Sequence, residues 1–247
     1  MRAMIFAAGM GTRLGDLTKD TPKALIPVSG TPVLEYAIKK LSYFGFNQII
    51  INIHHFGDQI LRFLKENNNF GMQIEISDER EELLDTGGGL KKAAWFLDKD
   101  EPFLVYNVDV LTDLDLKSLY EHHIAGNYLA TLATRHRDTA RYLLVNNEND
   151  ICGWQNIKTG EIIRARNEIS DTDQVAFSGI QVIHPEIFRL MPKSSVFPIM
   201  GLYLQLAENY RINSFTHDST KWLDIGKPAS ILEAENYFKD GIVDPES

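Results

Sequence analysis

Only one cysteine, Cys152, occurs in 247 residues. A lone thiol excludes an internal disulfide and a cysteine-based zinc site, so Cys152 reads as a small core residue. The chain has no run of lysines or arginines and carries a formal net charge of −9. Nucleic-acid binding needs a basic footprint, which excludes that class of partner. No stretch reaches the apolar length of a membrane span. Arg2 leads into a short apolar run ending in glycines, not into a signal peptide. These absences give the expectation of a cytoplasmic protein with no membrane partner. No hexapeptide repeat follows the main body of the chain. His54-His55 and His122-His123 are adjacent pairs, not the i,i+4 pairs of a helical zinc site, and are expected in surface or capping roles. No plausible Ser-His-Asp or Cys-His set is present. The first glycines also fall short of common motifs. Gly9-Met10-Gly11 has Leu14 where a dinucleotide fingerprint needs glycine, and no G-K-[S/T] occurs.

What is present is concentrated between Met4 and Lys23. Met4 to Ala8 is an apolar run that reads as a buried strand. Gly9 and Gly11 then break it into a tight loop. Glycine permits positive φ and close approach of a ligand to the backbone. Successive exposed N–H groups in such a loop form an anion site. Arg13 adds a planar fork of donors and Lys23 a compact charge, with Pro22 stiffening the chain before it. Both cations are expected to be exposed on the loop and to add little stability.

The rest of the chain reads as α/β. Helical spacing runs from Val33 to Phe44, Gln48–Ile53 is a second buried strand, Phe56–Phe63 resumes a helix and Met72–Ile76 a strand. That β-α-β-α-β rhythm predicts a largely parallel sheet with helices on both faces and ligands beyond the carboxyl ends of its strands. Asp85-Thr86-Gly87-Gly88-Gly89 opens a helix through Trp95 and Phe96. Its glycines are either a flexible joint or a place where helix N–H groups face a flat ligand. Phe6, Trp95 and Phe96 are expected in the core. Phe103–Tyr106 is a strand ending in Asn107-Val108-Asp109. An aspartate there is a candidate magnesium ligand, with an ordinary turn residue as the alternative. From Tyr128 to Ile183, short strand-like runs alternate with turns, which predicts a small antiparallel, hairpin-rich part. Arg141, Arg164 and Arg166 within it read as solvated surface residues. Helical stretches at Pro185–Met191 and Phe197–Glu208, a strand at Ile212–Phe215 and a helix at Pro228–Phe238 complete the chain.

The full N-terminal string is more specific than its glycines. Ala7-Ala8-Gly9-Met10-Gly11-Thr12-Arg13-Leu14, Leu17-Thr18 and Pro22-Lys23 resemble the signature of sugar-nucleotidyltransferases, or nucleotide-sugar pyrophosphorylases. Gly15-Asp16 departs from the family's usual residue-then-proline. The resemblance extends to Gly87–Gly89, to Asn107-Val108-Asp109, to Phe177-Ser178-Gly179-Ile180 and to Trp222-Leu223-Asp224-Ile225-Gly226. It is strongest with short members similar to N-acetylmuramate-1-phosphate uridylyltransferase. Mannose-1-phosphate guanylyltransferase-like and phosphocholine cytidylyltransferase-like chains share much of it, as would a catalytically idle regulatory subunit.

The resemblance implies one three-layer, Rossmann-like α/β domain over residues 1–247, with a mixed, mostly parallel central sheet. Residues 1–125 would bind nucleotide, 126–226 sugar phosphate, and 227–247 would form a closing helix and tail. It implies catalytic roles for Arg13 and Lys23. Nucleotide contacts would come from Ala7, Ala8, Gly9, Gly11, Thr12, Gly87, Gly88 and Asn107, and sugar-phosphate contacts from Ser178 and Gly179. Asp109 and Asp224 would hold Mg2+. The partners would be a nucleoside triphosphate and a sugar 1-phosphate, and the assembly a monomer or small homo-oligomer. The family's E-K-P is missing, with Trp154-Gln155-Asn156 in roughly that place; Arg141, Arg164 or Arg166 could replace its lysine, as the alternative to solvated surface residues, and the sugar is unassigned.

Overall fold

The structure, a computed structural model, describes residues 1–166 and 171–238. The expected tail beyond 238 lies outside the described residues. In chain order the elements are β1 (Arg2–Phe6), β2 (Pro27–Val28), β3 (Thr31–Pro32), α1 (Val33–Tyr43), β4 (Gln48–Ile53), α2 (Gly57–Glu66) and β5 (Gln73–Asp78). Then come α3 (Asp85–Lys92), α4 (Ala94–Leu97), β6 (Phe103–Asn107), β7 (Val110–Thr112), α5 (Leu116–Gly126), β8 (Ala130–Arg135), β9 (Arg141–Val145), β10 (Ile151–Asn156) and β11 (Glu161–Arg164). β12 (Asp173–Ile183), α6 (Ile187–Leu190), α7 (Ile199–Leu206), β13 (Ile212–Thr216), β14 (Trp222–Asp224) and α8 (Pro228–Tyr237) follow. No helix among the described residues is long and apolar enough to cross a membrane.

The chain divides into two compact units, each built from separated segments. The first holds Met1–Leu83, Val105–Leu116 and 220–238. In it β1, β4 and β5 pair in parallel, Met4 opposite Ile50 and Ile50 opposite Glu75. Ile49, Ile50, Ile51 and Ile53 are fully buried. A strand buried on both faces reads as such an apolar run, because helices cover parallel sheets from both sides. A two-stranded ribbon adds to this unit: β14 runs antiparallel to β7, with Asp224 opposite Val110. Helix α1 packs against β7, and α8 against β2 and β14.

The second unit holds Leu84–Leu104 and Lys117–Ser219. Here β9, β10, β11 and β12 are antiparallel neighbours, as the turn-rich sequence predicts. β12 continues antiparallel to β8, and β13 lies parallel to β8. The pairing of β12 with β8 slips between Phe177 and Gln181, so Ser178-Gly179-Ile180 forms a bulge, with Gly179 at φ +81°. A bulge of this kind needs a residue free of Cβ strain and often re-aims a strand at a site. Helices α3 and α7 pack together. Sequence had joined α3 and α4 into one helix; the break falls at Ala93.

Several packing expectations are corrected. Cys152 and Phe96 are buried, but Trp95 is 58% exposed. His123 is buried rather than superficial, with Nδ1 3.0 Å from Thr131 Oγ1. Arg166 is a clamp, not a solvated side chain. It donates to the carbonyls of Ala207 (2.7 Å) and Tyr210 (3.4 Å) and pairs with buried Asp150.

Candidate active site

The N-terminal loop owes its shape to residues well outside it. Asn52 interrupts the isoleucine run of β4 and is buried. Its Oδ1 accepts from Ala7 N (2.7 Å) and Ala8 N (3.3 Å), and its Nδ2 donates to Glu79 Oε1 (2.8 Å). Those two backbone donors are therefore used internally, and ligand contacts from this stretch fall to the residues after Ala8. At Gly9 an added Cβ would meet nothing within 4 Å. Gly11 is constrained: its φ is +65°, and a Cβ there would come within 2.9 Å of Thr18 Cγ2 and 3.1 Å of Lys23 Cβ. Thr18 closes the turn by donating its hydroxyl to the carbonyls of Gly11 (3.0 Å) and Gly15 (3.2 Å). Thr12 and Arg13 open the 3-10 segment Thr12–Thr18, which kinks at Gly15 (φ +58°), between these anchors.

Removing the Asn52 amide leaves two backbone donors and one carboxylate oxygen without this partner. Each buried polar group stranded in this way costs about 1–3 kcal/mol. Asn52→Leu is therefore expected to lower stability by several kcal/mol, read as a lower urea midpoint. A midpoint equal to wild type would show that Asn52 does not hold the loop.

The charged residues converge in the first unit. Lys23 follows Pro22 in a short 3-10 turn, Lys23–Leu25, and its Nζ is ion-paired with Asp109 Oδ2. Their side chains are only 11% and 18% exposed, so Lys23 is not the exposed loop cation the sequence suggested. Asp109 sits in the turn between β6 and β7. That turn is pinned by Tyr106 Oη donating to Val110 O (2.9 Å), by Val108 N donating to Phe6 O (3.2 Å), and by Ile225 N donating to Asp109 O (2.8 Å). Asn107 ends β6 beside this turn. The Ile225 bond brings the chain just past Asp224 against Asp109. Arg13 joins the same segment, because a Cβ on Gly226 would lie 3.4 Å from its Nη2. The glycine of the Trp222–Gly226 motif thus leaves room for the guanidinium.

Asp109, in the turn between β6 and β7, and Asp224, at the end of β14, could hold Mg2+, which takes few carboxylates and keeps positions for water and phosphate oxygens. No group of three or more His, Cys, Asp or Glu side chains placed to hold a metal occurs among the described residues.

The remaining candidates lie in the second unit. Gly87 and Gly88 are inside α3, and both N–H groups donate to Phe197 O, at 2.9 and 3.2 Å. A Cβ on Gly87 would meet the Phe197 ring at 2.3 Å, and one on Gly88 would meet Ser195 O at 1.9 Å. These glycines therefore admit the 195–197 segment, and the helix donors expected to face a ligand are engaged by it. Ser178 is fully buried, with Oγ 2.8 Å from His217 Nε2. Gly179 supplies the left-handed turn of the bulge. Sequence reasoning missed Asn52 and His217, and gave Thr18 no role beyond its place in the Leu17-Thr18 string. Only Asn52 left a signal, as a polar break in an isoleucine strand.

Burial holds His217 well below its ordinary range, at about 4, with nearby Arg135 acting in the same direction. His123 is pushed down further, to about 3, chiefly by burial. Both are neutral in the fold at pH 7. As pH falls below about 6.5, the unfolded chain takes up protons that the folded chain refuses, so stability falls until the folded values are reached. His136 acts in the opposite sense, since hydrogen bonds to Asp218 and Asp173 raise it. It is exposed, and its contribution is correspondingly screened. The expected result is a loss on the order of 3 kcal/mol from His217 alone between pH 7 and pH 4. Urea melts of wild type and His217→Asn across that range test this, and parallel pH profiles would contradict it.

Comparison with known proteins supports the same family. The nucleotidyl transferase family model matches residues 2–241. The chain belongs to that family. This nucleotidyl transferase is 31% identical to N-acetylmuramate alpha-1-phosphate uridylyltransferase of Neisseria meningitidis serogroup B, across 95% of this chain and 97% of that protein. It is 30% identical to UTP--glucose-1-phosphate uridylyltransferase of Synechocystis, across 95% of this chain but 62% of that protein. Among solved structures, HddC from Yersinia pseudotuberculosis, complexed with GMP-PN, superposes with a TM-score of 0.77 at 22% identity. That match covers 96% of this chain and 99% of HddC. The inositol-1-phosphate CTP transferase from T. maritima superposes with a TM-score of 0.74 at 16% identity, covering 98% of both chains. The nucleotidyl transferase therefore has an α/β fold shared with enzymes of this type, and its relatives are named sugar-phosphate nucleotidyltransferases.

Proposed function

We propose that the chain transfers a nucleoside monophosphate from a nucleoside triphosphate to a sugar 1-phosphate and releases pyrophosphate. UTP and an amino-sugar 1-phosphate are the favoured pair. The observation that carries this reading is the convergence of Arg13, Lys23, Asp109 and the Asp224 segment in one unit. The name of the Neisseria relative, a uridylyltransferase matched over 97% of its length, supports the choice of base.

In this reaction an oxygen of the sugar phosphate attacks the α phosphorus, and the bond from that phosphorus to the β-bridging oxygen breaks. The attacking group is already an anion, so no general base is required, and catalysis rests on alignment and charge neutralisation. Arg13 would hold the β and γ phosphates, and Lys23 the α phosphate. The loop after Ala8 would offer its remaining N–H groups to the triphosphate. Asp109 and Asp224 would hold magnesium, which supplies positive charge against the phosphate oxygens. In the second unit, the bulge at Ser178–Ile180 would present backbone to the sugar phosphate.

A grid of four nucleoside triphosphates against several sugar 1-phosphates, read by pyrophosphate release, tests this. UTP with an amino-sugar 1-phosphate is the expected maximum. A clear preference for GTP or CTP would move the chain toward the guanylyl or cytidylyl readings. No release from any pair would leave a catalytically idle member of the family.

A further inference from the structure

Tyr106 stands one residue before the end of β6 and is fully buried, and the transfer chemistry above gives it no part. Its Oη donates to Val110 O at 2.9 Å, across the turn that carries Asn107 and Asp109. The β7–β14 ribbon explains why this bond is needed. Along an antiparallel pair, residues bond to the partner alternately. Asp109 O accepts from Ile225 N (2.8 Å) and Asp113 N donates to Lys221 O (3.3 Å), so the odd-numbered residues of this stretch bond to β14. Val110, opposite Asp224, therefore turns its carbonyl away from β14. Val110 is buried, and a buried carbonyl left without a donor is destabilising. The Tyr106 hydroxyl supplies that donor. Burial, with the charge of Asp109 acting in the same direction, holds this hydroxyl above its ordinary range, so it keeps its proton.

Backbone bonds hold the turn at Val108 N and Asp109 O, and the Tyr106 hydroxyl holds it at Val110 O. The turn fixes the Asp109 backbone, and Asp109 Oδ2 meets Lys23 Nζ. Lys23 has separate support: it follows extended Pro22, and Ile26 N donates to its carbonyl at 3.1 Å. The two partners thus come from separate mounts, and their meeting depends on the placement of both. A shift of about 1 Å at a reacting centre can cost roughly a hundredfold in rate. We infer that Tyr106 is a positioning residue: its hydroxyl sets the turn so that Asp109 meets Lys23 where the α phosphate reacts. The inference rests on the proposed transfer reaction, which gives Lys23 and Asp109 their roles.

Tyr106→Phe removes a single oxygen atom and tests the brace without turnover. The probe is the nitrogen NMR signal of the Lys23 ammonium in the full chain, whose proton exchange slows when it is paired with a carboxylate. Asp109→Asn marks the unpaired limit. Tyr106→Phe is expected to speed that exchange roughly tenfold, the scale of one lost hydrogen bond. Tyr106→4-aminophenylalanine, which restores an N–H donor, should reverse most of the change. Tyr120→Phe is the control. It removes a hydroxyl bond to Pro102 O (3.0 Å) at the opposite end of β6 and should leave the signal unchanged. An unchanged Lys23 signal in Tyr106→Phe, or an equal change in Tyr120→Phe, overturns the inference.

Kinetics separates the brace from the proposed function. In Tyr106→Phe, kcat should fall roughly tenfold or more while KM for the triphosphate stays within about twofold, because Arg13 and the loop N–H groups still hold the other phosphates. A rise in KM with unchanged kcat would mean that Tyr106 supports binding rather than alignment, and that also overturns the inference. An altered Lys23 signal in Tyr106→Phe, with no pyrophosphate release by wild type from any pair of substrates, would sink the transfer reaction and leave the brace of Asp109 standing. Release by wild type, with signal and kcat both unaltered in Tyr106→Phe, would do the reverse.

Discussion

Lys23→Ala is expected to lower turnover by roughly two or more orders of magnitude, the usual scale for losing a preorganised charge at a transferring group. The structure adds a second effect. Lys23 and Asp109 form a largely shielded ion pair. Removing one partner of such a pair leaves a charge short of solvent, which destabilises more than the pair itself contributes. Lys23→Ala should therefore also lower stability, by about 1–3 kcal/mol given the partial exposure. Asp109→Asn should cut turnover comparably, and the double variant should be little slower than either single one, because groups that act as a unit do not add. For stability the expected pattern differs, with the double variant recovering part of the loss from Lys23→Ala. Pyrophosphate release and urea melts on the three variants check both statements. Near-normal turnover in Lys23→Ala would remove Lys23 from the chemistry, and a fully additive stability loss would show that the pair is not coupled.

Gly88→Ala is expected to cost about 3 kcal/mol or more, despite replacing glycine by the best helix former. Its Cβ would sit 1.9 Å from Ser195 O and 3.0 Å from Leu84 Cβ. A backbone carbonyl cannot rotate away as a side chain can, so the 195–197 segment must move. That movement also strains the hydrogen bonds from Gly87 and Gly88 to Phe197 O. Overpacking usually costs 1–3 kcal/mol, and backbone contact puts this case at the upper end. Gly201→Ala in α7 provides a control of opposite sign. Its Cβ would meet only Pro198 Cγ, at 3.8 Å, so helix propensity dominates and stability should rise by up to about 1 kcal/mol. Chemical denaturation of both variants gives the answer. Equal midpoints for Gly88→Ala and wild type would mean that α3 and the 195–197 segment do not meet as described. Loss of activity in Gly88→Ala would not by itself indicate contact with a base, since packing already accounts for the glycine.

The parts of this protein legible in its sequence are those set by local periodicity. Ile49–Ile53 announces a strand buried on both faces, and the alternating segments between Tyr142 and Val182 announce hairpins. Lys23 and Asp109 could be named as functional because each stands where a strand or loop turns toward a ligand edge. That they pair with each other could not be read, since 86 positions separate them. The same limit hid Asn52 capping Ala7 and Ala8, and Phe197 occupying the N–H groups of α3. Ser178 was expected at the sugar phosphate only because Phe177-Ser178-Gly179-Ile180 resembles a family segment. The register slip in β12 instead turns it inward to His217. In each case a polar group found its partner through tertiary contact, which spacing along the chain does not encode.

The interleaving of the two units has a consequence for biogenesis. Strand β7 finds its partner β14 only about 110 residues later, while Leu84–Leu104 and Lys117–Ser219 complete the second unit first. On a translating ribosome, the second unit could close while the first still lacks an edge of its ribbon. During that interval Asp109 and Arg13 would be synthesised but not joined by the Asp224–Gly226 segment. Competence for phosphate chemistry would then arrive late in synthesis, after most of the chain has emerged. Chains arrested before Thr220 should be recognisable by an open, protease-sensitive first unit beside a protected second one.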